Sequence, residues 1–166
     1  RGKRFNRPVT VVMIDMDKFK TVNDGHDHLF GSYILSEVGK IIKASTRTVD
    51  IPARYGGDEF LIVLTEIPLA GVEMFCERLR KKVEQMTFTQ GPDTINLTLS
   101  VGFATTKENE SLPPKELVRR ADMALYEAKR RGRNQVVCFD INTQSNRRLE
   151  KSAVMDIFDK KRKTAS

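Results

Sequence analysis

Residues 8–15, PVTVVMID, form an unbroken β-branched and apolar run that stops at a carboxylate. Such a run reads as a central strand covered on both faces, ending at Asp15. Next, GSYILSEVGKIIKAST repeats Ile34, Leu35, Val38, Ile41 and Ile42 at helical spacing, which predicts an amphipathic helix with one buried face. IPARY and EFLIVLT read as two strands joined through Gly-Gly-Asp, and LAGVEMFCERLRKKVEQM as a second amphipathic helix. TINLTLSVGFATT alternates with the period of a half-buried strand. PPKELVRRADMALYEAKRRG opens on proline and closes at Gly132, where a helix favours first a fixed φ and then a left-handed cap. NQVVCFD predicts a short last strand. The order strand, helix, strand, strand, helix, strand, helix, strand predicts an α+β fold, a central and mostly antiparallel sheet flanked by helices. In that layout the first strand and the Gly-Gly hairpin are neighbours, which brings Asp15 beside Asp58 and Glu59.

The length of 166 residues suits one compact domain with a real core, here taken as residues 1–140 with a basic tail or helix over 141–166. The formal charge of +7 favours polyanionic ligands, although RGKRFNR at the start and NRRLEKSAVMDIFDKKRKTAS at the end hold much of the excess. A nucleic-acid-binding module ranks last, because no aromatics interleave a basic face. Cys76 and Cys138 have no neighbours at metal-ligand spacing and read as buried thiols of a reducing compartment. No apolar run approaches a membrane span and no signal peptide is visible. The chain begins without Met, as expected of a piece of a longer protein.

ARYGGDEFLIVL, residues 53–64, combines strand-like alternation with two glycines and two adjacent carboxylates. A tight turn accounts for the glycines, which accept positive φ; it does not account for Asp58 and Glu59. Carboxylates converging at strand ends raise one another's pKa unless a cation neutralises them. Mg²⁺ is the natural occupant, because it takes oxygen ligands and keeps positions for substrate phosphates. Two such ions activate a hydroxyl and stabilise a pyrophosphate leaving group. The plainer alternative is that Asp15 and Asp17 end a strand while Asp58 and Glu59 decorate a turn.

Four stretches in order decide between them. DMDKFKTVND (15–24), RTVD (47–50), RYGGDEF (54–60) and ADMALYEAKRRGRN (121–134) resemble the signature of the GGDEF family, the diguanylate cyclases that join two GTP molecules into cyclic di-GMP. The resemblance covers residues 1–140 and implies a nucleotide-cyclase, polymerase-palm-like domain with a ferredoxin-like core. It implies that Asp15 and Asp58 hold Mg²⁺ or Mn²⁺, two ions per active site, with the backbone carbonyl of Met16 as a further ligand and Glu59 in support. Asp58 would be the base for the attacking 3′-hydroxyl. Lys20 would stabilise phosphate charge, aided by the amides of Lys18 and Phe19, and Asn23 and His28 would stand at the base. Gly56 and Gly57 would let the hairpin approach the nucleotide. Lys129 and Arg133, four apart and so on one helical face, would grip the terminal phosphates. Arg47, Asp50 and Arg78 would form an inhibitory site for the cyclic dinucleotide product. The resemblance further implies a homodimer as the active form, an N-terminal sensor domain preceding residue 1, and second-messenger signalling in a bacterial cytoplasm.

Duller readings stand beside these. KRRGR is by itself a solvated face, His28 a surface or core histidine, and Asn23 with Asp24 a loop that caps the next helix. Two positions depart from the family pattern Asn-Asp-x-x-Gly-His-x-x-Gly-Asp: Asp27 stands for its first glycine and Ser32 for its last Asp. Asp27 is benign, because Asp caps helix starts well. Ser32 falls where the family's Asp reads the guanine edge. That change resembles the hybrid promiscuous (Hypr) branch of the family, whose members make 3′,3′-cyclic GMP-AMP from GTP and ATP. The expectation is therefore a cyclase making both cyclic GMP-AMP and cyclic di-GMP. The alternatives are a strictly GTP-specific diguanylate cyclase and a catalytically silent cyclic dinucleotide receptor.

Overall fold

In this computed structural model the described residues are 7–140; the basic segment 141–166 lies outside them. In chain order the elements are β1 (Val9–Met16), α1 (Phe19–Gly25), α2 (His28–Ser45), β2 (Ile51–Arg54), β3 (Glu59–Thr65), α3 (Leu69–Glu84), β4 (Phe88–Gln90), β5 (Asp93–Ile95), β6 (Leu99–Thr105), α4 (Pro114–Arg130) and β7 (Val136–Cys138). The main sheet has the order β2-β3-β1-β6-β7, and β4 and β5 form a separate hairpin. β1 is antiparallel to β3 and β6 on its two sides, while β7 joins β6 in parallel. The expected α+β architecture with a mostly antiparallel sheet is thus the observed one.

Alternation along β1 assigns the layers, because successive side chains point to opposite faces. Val12, Ile14 and Met16, with Phe60, Ile62 and Leu64 of β3 and Leu99, Val101 and Phe103 of β6, pack with the buried faces of α2 and α3. On the opposite face Val11, Met13 and Ala104 meet Leu117, Ala121 and Leu125 of α4. The next odd position on β1 is Asp15, so the period-2 rule turns its carboxylate toward α4. There α4 lies flush on β6: a Cβ on Gly102 would stand 2.0 Å from the backbone N of Leu125, so only glycine admits the helix at this height. One helical turn beyond Leu125 comes Lys129, while β1 advances two residues from Met13, the partner of Gly102, to Asp15.

Both helix ends read from the sequence are present. Asp27 caps α2, its carboxylate accepting from the amide of Leu29. After α4 the amide of Arg133 donates to Ala128 O at 3.0 Å and that of Gly132 to Lys129 O at 3.3 Å, the paired bonds of a left-handed glycine cap.

The differences from expectation are local. Residues 19–25, to which the sequence pattern assigns no element, form a short helix, α1. The expected strand over 94–106 is two strands: β5 pairs with β4, and β6 with β1. Burial alternates through Ile95, Leu97 and Leu99, but hydrogen-bond partners change between them, and a side-chain period does not report partners. The β4–β5 hairpin supports the α1–α2 junction, where His26 Nδ1 meets Asp93 Oδ1 at 3.1 Å. Cys76 is buried in α3, as expected, and burial pushes its thiol up. Cys138 is exposed, because strand alternation turns it away from the face on which Val137 packs with Ala124 and Ala128 of α4. Among the described residues no helix is long and apolar enough to cross a membrane.

Candidate active site

The strand pairing brings the predicted acids together. Asp15 stands opposite Glu59 in the β1–β3 ladder, and the amide of Met16 donates to Asp58 O at 3.3 Å. Asp58 and Glu59 are half-buried, and Asp15 is 7% exposed. Lys129 reaches over from α4 and forms an ion pair with Asp15 Oδ2. The other oxygen, Oδ1, is buried with no hydrogen-bond partner, an expensive arrangement for a carboxylate unless something else comes to it. Burial raises the Asp15 pKa to about 6; Lys129 opposes this, and the charges of Asp58 and Glu59 add to it.

The sign of that shift gives a first prediction. Between pH 4 and pH 6 the folded protein keeps a proton on Asp15 that the unfolded chain has released, so Asp15 costs stability as pH rises through this window. Asp15→Asn, which cannot ionise, is expected to be more stable than the wild type at pH 8 by about 2 kcal/mol, with the gap closing below pH 4. Urea unfolding at the two pH values measures this, and equal gaps at both would refute it.

Two cavities meet at these acids. One, of about 430 Å³, is lined by Phe19, Lys20, Asn23, His28, Gly31, Ser32, Leu35, Arg54, Gly57 and Asp58. A smaller cleft, of about 170 Å³, is lined by Asp15, Met16, Asp17, Lys18, Phe19, Lys20, Asp58, Lys129 and Arg133. The larger is walled mainly by α1, α2 and the Gly-Gly hairpin, and has the size and mixed lining of a small-molecule site. The smaller presents cationic side chains around carboxylates. Phe19, Lys20 and Asp58 belong to both, so the two form one bent trough. Among the described residues no group of three His, Cys, Asp or Glu side chains gathers closely enough to hold a metal by itself.

The hairpin glycines act differently from expectation. Among the described residues the positive-φ glycines are Gly91 and Gly132, so Gly56 and Gly57 are not explained by a left-handed turn. A Cβ on Gly56 would come within 3.1 Å of Glu59 Oε2, so Gly56 makes room for the Glu59 side chain. A Cβ on Gly57 would meet nothing within 4 Å, and its bareness keeps the wall of the larger cavity clear. Arg54, which the sequence reading passed over, holds the loop by donating to the carbonyls of Gly56 at 3.1 Å and Gly57 at 2.8 Å. Gly31 was also passed over. A Cβ there would lie 2.1 Å from Asn23 Oδ1, so α2 needs glycine at this point to seat the Asn23 side chain at the cavity.

Lys129 and Arg133 line the same cleft, but not as neighbours on a helical face. α4 ends at Arg130, and Arg133 has φ 67 in the turn beyond it; the glycine cap, not the helical repeat, returns it to the cleft. The rest of the basic run KRRGR is paired locally. Arg130 and Arg131 both bind Glu127, and the Arg130 hydrogen bonds, with those of Arg131, hold its carboxyl at about 2.

Arg47 and Asp50 also meet, as their spacing suggested. The Arg47 side chain donates to both oxygens of Asp50, at 3.1 and 2.8 Å, and to Thr65 O at 2.8 Å. Burial pushes the Asp50 carboxyl up, but the Arg47 hydrogen bonds outweigh it and hold the pKa below the usual range. Arg78 lies on α3 with its guanidinium 6.0 Å from the centre of the Phe75 ring, not in the Arg47–Asp50 pair.

The profile of the family described as "Diguanylate cyclase, GGDEF domain" matches residues 1–135, and the chain belongs to that family. It is 43% identical over 129 residues to diguanylate cyclase A of Treponema denticola, covering 77% of this chain and 34% of that protein. It is 42% identical over 136 residues to the probable diguanylate cyclase DgcT of Escherichia coli, covering 81% and 30%. The chain thus spans about a third of the length of these curated relatives. Among solved structures, the GGDEF domain of TpbB (YfiN) from Pseudomonas aeruginosa superposes with TM-score 0.79 at 29% identity, covering 87% of this chain and 83% of that one. The GGDEF domain of DgcB from Caulobacter crescentus, solved with c-di-GMP, superposes with TM-score 0.74 at 30% identity, covering 80% and 78%. The names of these relatives favour cyclic di-GMP chemistry over the mixed GTP and ATP chemistry expected from Ser32.

Proposed function

We propose that this chain is the catalytic domain of a diguanylate cyclase, condensing two GTP molecules into cyclic di-GMP with release of two pyrophosphates. The observation that carries the reading is the junction of the two cavities at Phe19, Lys20 and Asp58. A guanosine in the larger cavity extends its triphosphate into the smaller, and Asp58 stands at the bend, beside the sugar and the α-phosphate. Asn23 and His28 contact the base. Lys20, Lys129 and Arg133, with the amides of Lys18 and Phe19, take the phosphate charge. Lys129 exchanges its Asp15 partner for phosphate as the nucleotide enters.

The residues fit Mg²⁺ or Mn²⁺ on the evidence of the orphaned Asp15 Oδ1. Asp15 and Asp58, the Met16 carbonyl and Glu59 in support would hold it. The incomplete protein ligand set suits an ion that ordinarily relies on one or two carboxylates and on substrate phosphates. When bound, the ion supplies charge stabilisation for the departing pyrophosphate. Asp58 accepts the proton of the 3′-hydroxyl as its oxygen bonds to the α-phosphorus of the second nucleotide and the bond to pyrophosphate breaks. This trough holds one nucleotide while the product joins two, which supports a dimer with two troughs face to face as the active form. The full protein carries a sensor domain ahead of this one and works in the cytoplasm.

Incubation with GTP and Mg²⁺ is expected to yield cyclic di-GMP by mass, with two pyrophosphates per product and a rate per chain that rises with protein concentration. Nucleotide binding without any cyclic product would support the silent-receptor reading instead. The exposed Ser32 on the cavity wall favours a second reading, in which ATP is also used.

The Arg47–Asp50 pair is proposed as the core of a product-inhibitory site, with Arg78 as a contact from a second domain. Its support is the preformed planar fork of Arg47, which suits guanine O6 and N7 once Asp50 releases it. Arg47→Ala is expected to raise the cyclic di-GMP concentration for half-inhibition by about tenfold or more; an unchanged inhibition curve would remove this site.

A further inference from the structure

Asp17 sits between Met16 and Lys18 in the acid-bearing stretch, yet most of its acceptor capacity is already used. Oδ1 accepts from Ser100 Oγ at 2.6 Å, and Oδ2 accepts from Thr98 Oγ1 at 2.7 Å and from the backbone amide of Asn134 at 3.1 Å. Its own amide donates to Thr98 O at 2.9 Å, and the residue is 7% exposed. Two of the side-chain donors come from the entry to β6 and its second residue. The third comes from the turn beyond α4.

That third donor ends an unusual stretch of backbone. Gly132, Arg133 and Asn134 have φ of 117, 67 and 46 degrees in succession. Glycine accepts this freely, whereas each non-glycine residue in the left-handed region costs free energy and persists only where its surroundings over-determine it. Asp17 restrains this turn through the Asn134 amide. The Asn134 side chain restrains it from α3, accepting from Arg80 Nη1 at 2.7 Å and donating to Glu84 Oε1 at 2.8 Å. Between the glycine cap and these two anchors lies Arg133, which lines the cleft with Lys20 and Lys129.

We propose that Asp17 is a positioning residue for triphosphate binding: its carboxylate fixes the left-handed turn after α4, and the turn aims Arg133 into the cleft. The proposal rests on the reading of this cleft as a triphosphate site. Asp17 itself touches neither phosphate nor metal, since three of the roughly four acceptor directions of its carboxylate are taken. Asparagine at position 17 keeps an acceptor for the Asn134 amide, and its amide group can donate to the Ser100 hydroxyl; alanine leaves all three donors without a partner.

The test compares binding of a non-hydrolysable GTP analogue and of guanosine by calorimetry. The wild type is expected to bind the triphosphate more tightly than the nucleoside; equal affinity would overturn the triphosphate reading and the role of Asp17 with it. Asp17→Ala is expected to weaken the triphosphate by about tenfold and guanosine by less than about twofold, with Asp17→Asn restoring most of the loss. In an Arg133→Ala background the Asp17→Ala change should add nothing further. An Asp17→Asn variant as weak as Asp17→Ala, or a full additional loss without Arg133, would assign Asp17 a direct contact with metal or phosphate and overturn the proposal. Should Asp17→Ala fail to fold, amide exchange in the wild type decides. The Asn134 amide is expected to exchange about a hundredfold more slowly than an open turn, and unprotected exchange would remove the anchor on which the proposal stands.

Discussion

Asp58→Ala is expected to abolish Mg²⁺-dependent release of pyrophosphate from GTP, by about a thousandfold or more, while leaving the fold intact. The two halves of that statement rest on different atoms. The hold of Asp58 on the fold is its backbone carbonyl, which accepts from Met16 and survives truncation of the side chain. The carboxylate belongs to both cavities, the place where a base must lie within one hydrogen bond of the sugar hydroxyl. Loss of a positioned base alone costs about 10² to 10⁴ in rate, and loss of a carboxylate from the cation site adds to it. Asp15 is no substitute, because it lines only the smaller cleft, and Glu59 lines neither cavity. Turnover within tenfold of wild type, in a variant with unchanged thermal unfolding, would remove Asp58 from the mechanism.

The acids were legible in the sequence because two independent periodicities agree on them. Strand alternation ending at Asp15 and resuming at Glu59 needs only that the two strands pair, and the ladder joins them residue to residue. Asp27 and Gly132 were legible because caps are local: the first satisfies an amide two residues away, and the second needs only its own φ. What escaped was set by tertiary distance. The helical face inferred for Lys129 and Arg133 is replaced by a turn whose conformation is held by Asp17, 117 residues away along the chain from Asn134. Gly31 looked like any helical glycine until Asn23 was packed against it. Arg54 stood at the head of the quoted RYGGDEF, but its role depends on where the carbonyls of the following loop point. The β4–β5 hairpin escaped for a related reason, since hydrogen-bond partners leave no trace in a hydrophobic pattern.

Under the second reading, in which ATP is also used, Ser32→Asp is expected to change the product by a large factor. Ser32 lies on α2, exposed, on the wall of the larger cavity with Asn23 and His28. A carboxylate here accepts from both N1–H and the exocyclic amine of guanine, two charge-assisted bonds worth about 1.5–3 kcal/mol each. Against adenine the same carboxylate faces the N1 acceptor and loses that pairing, so aspartate both attracts guanine and rejects adenine. Serine is shorter, neutral, and both donor and acceptor, which relaxes both effects. A water in the gap, with guanine still selected through Asn23, would leave the wild type strictly GTP-specific, as the names of the relatives favour. The two outcomes separate in one incubation with equal GTP and ATP. If Ser32 relaxes selection, the wild type makes 3′,3′-cyclic GMP-AMP beside cyclic di-GMP, and Ser32→Asp lowers the mixed product by about tenfold or more. Cyclic di-GMP alone from the wild type would sink the mixed-product reading and leave the diguanylate cyclase. A mixed pool that Ser32→Asp leaves unchanged would move the base discrimination away from this side chain, to the remaining wall of the cavity.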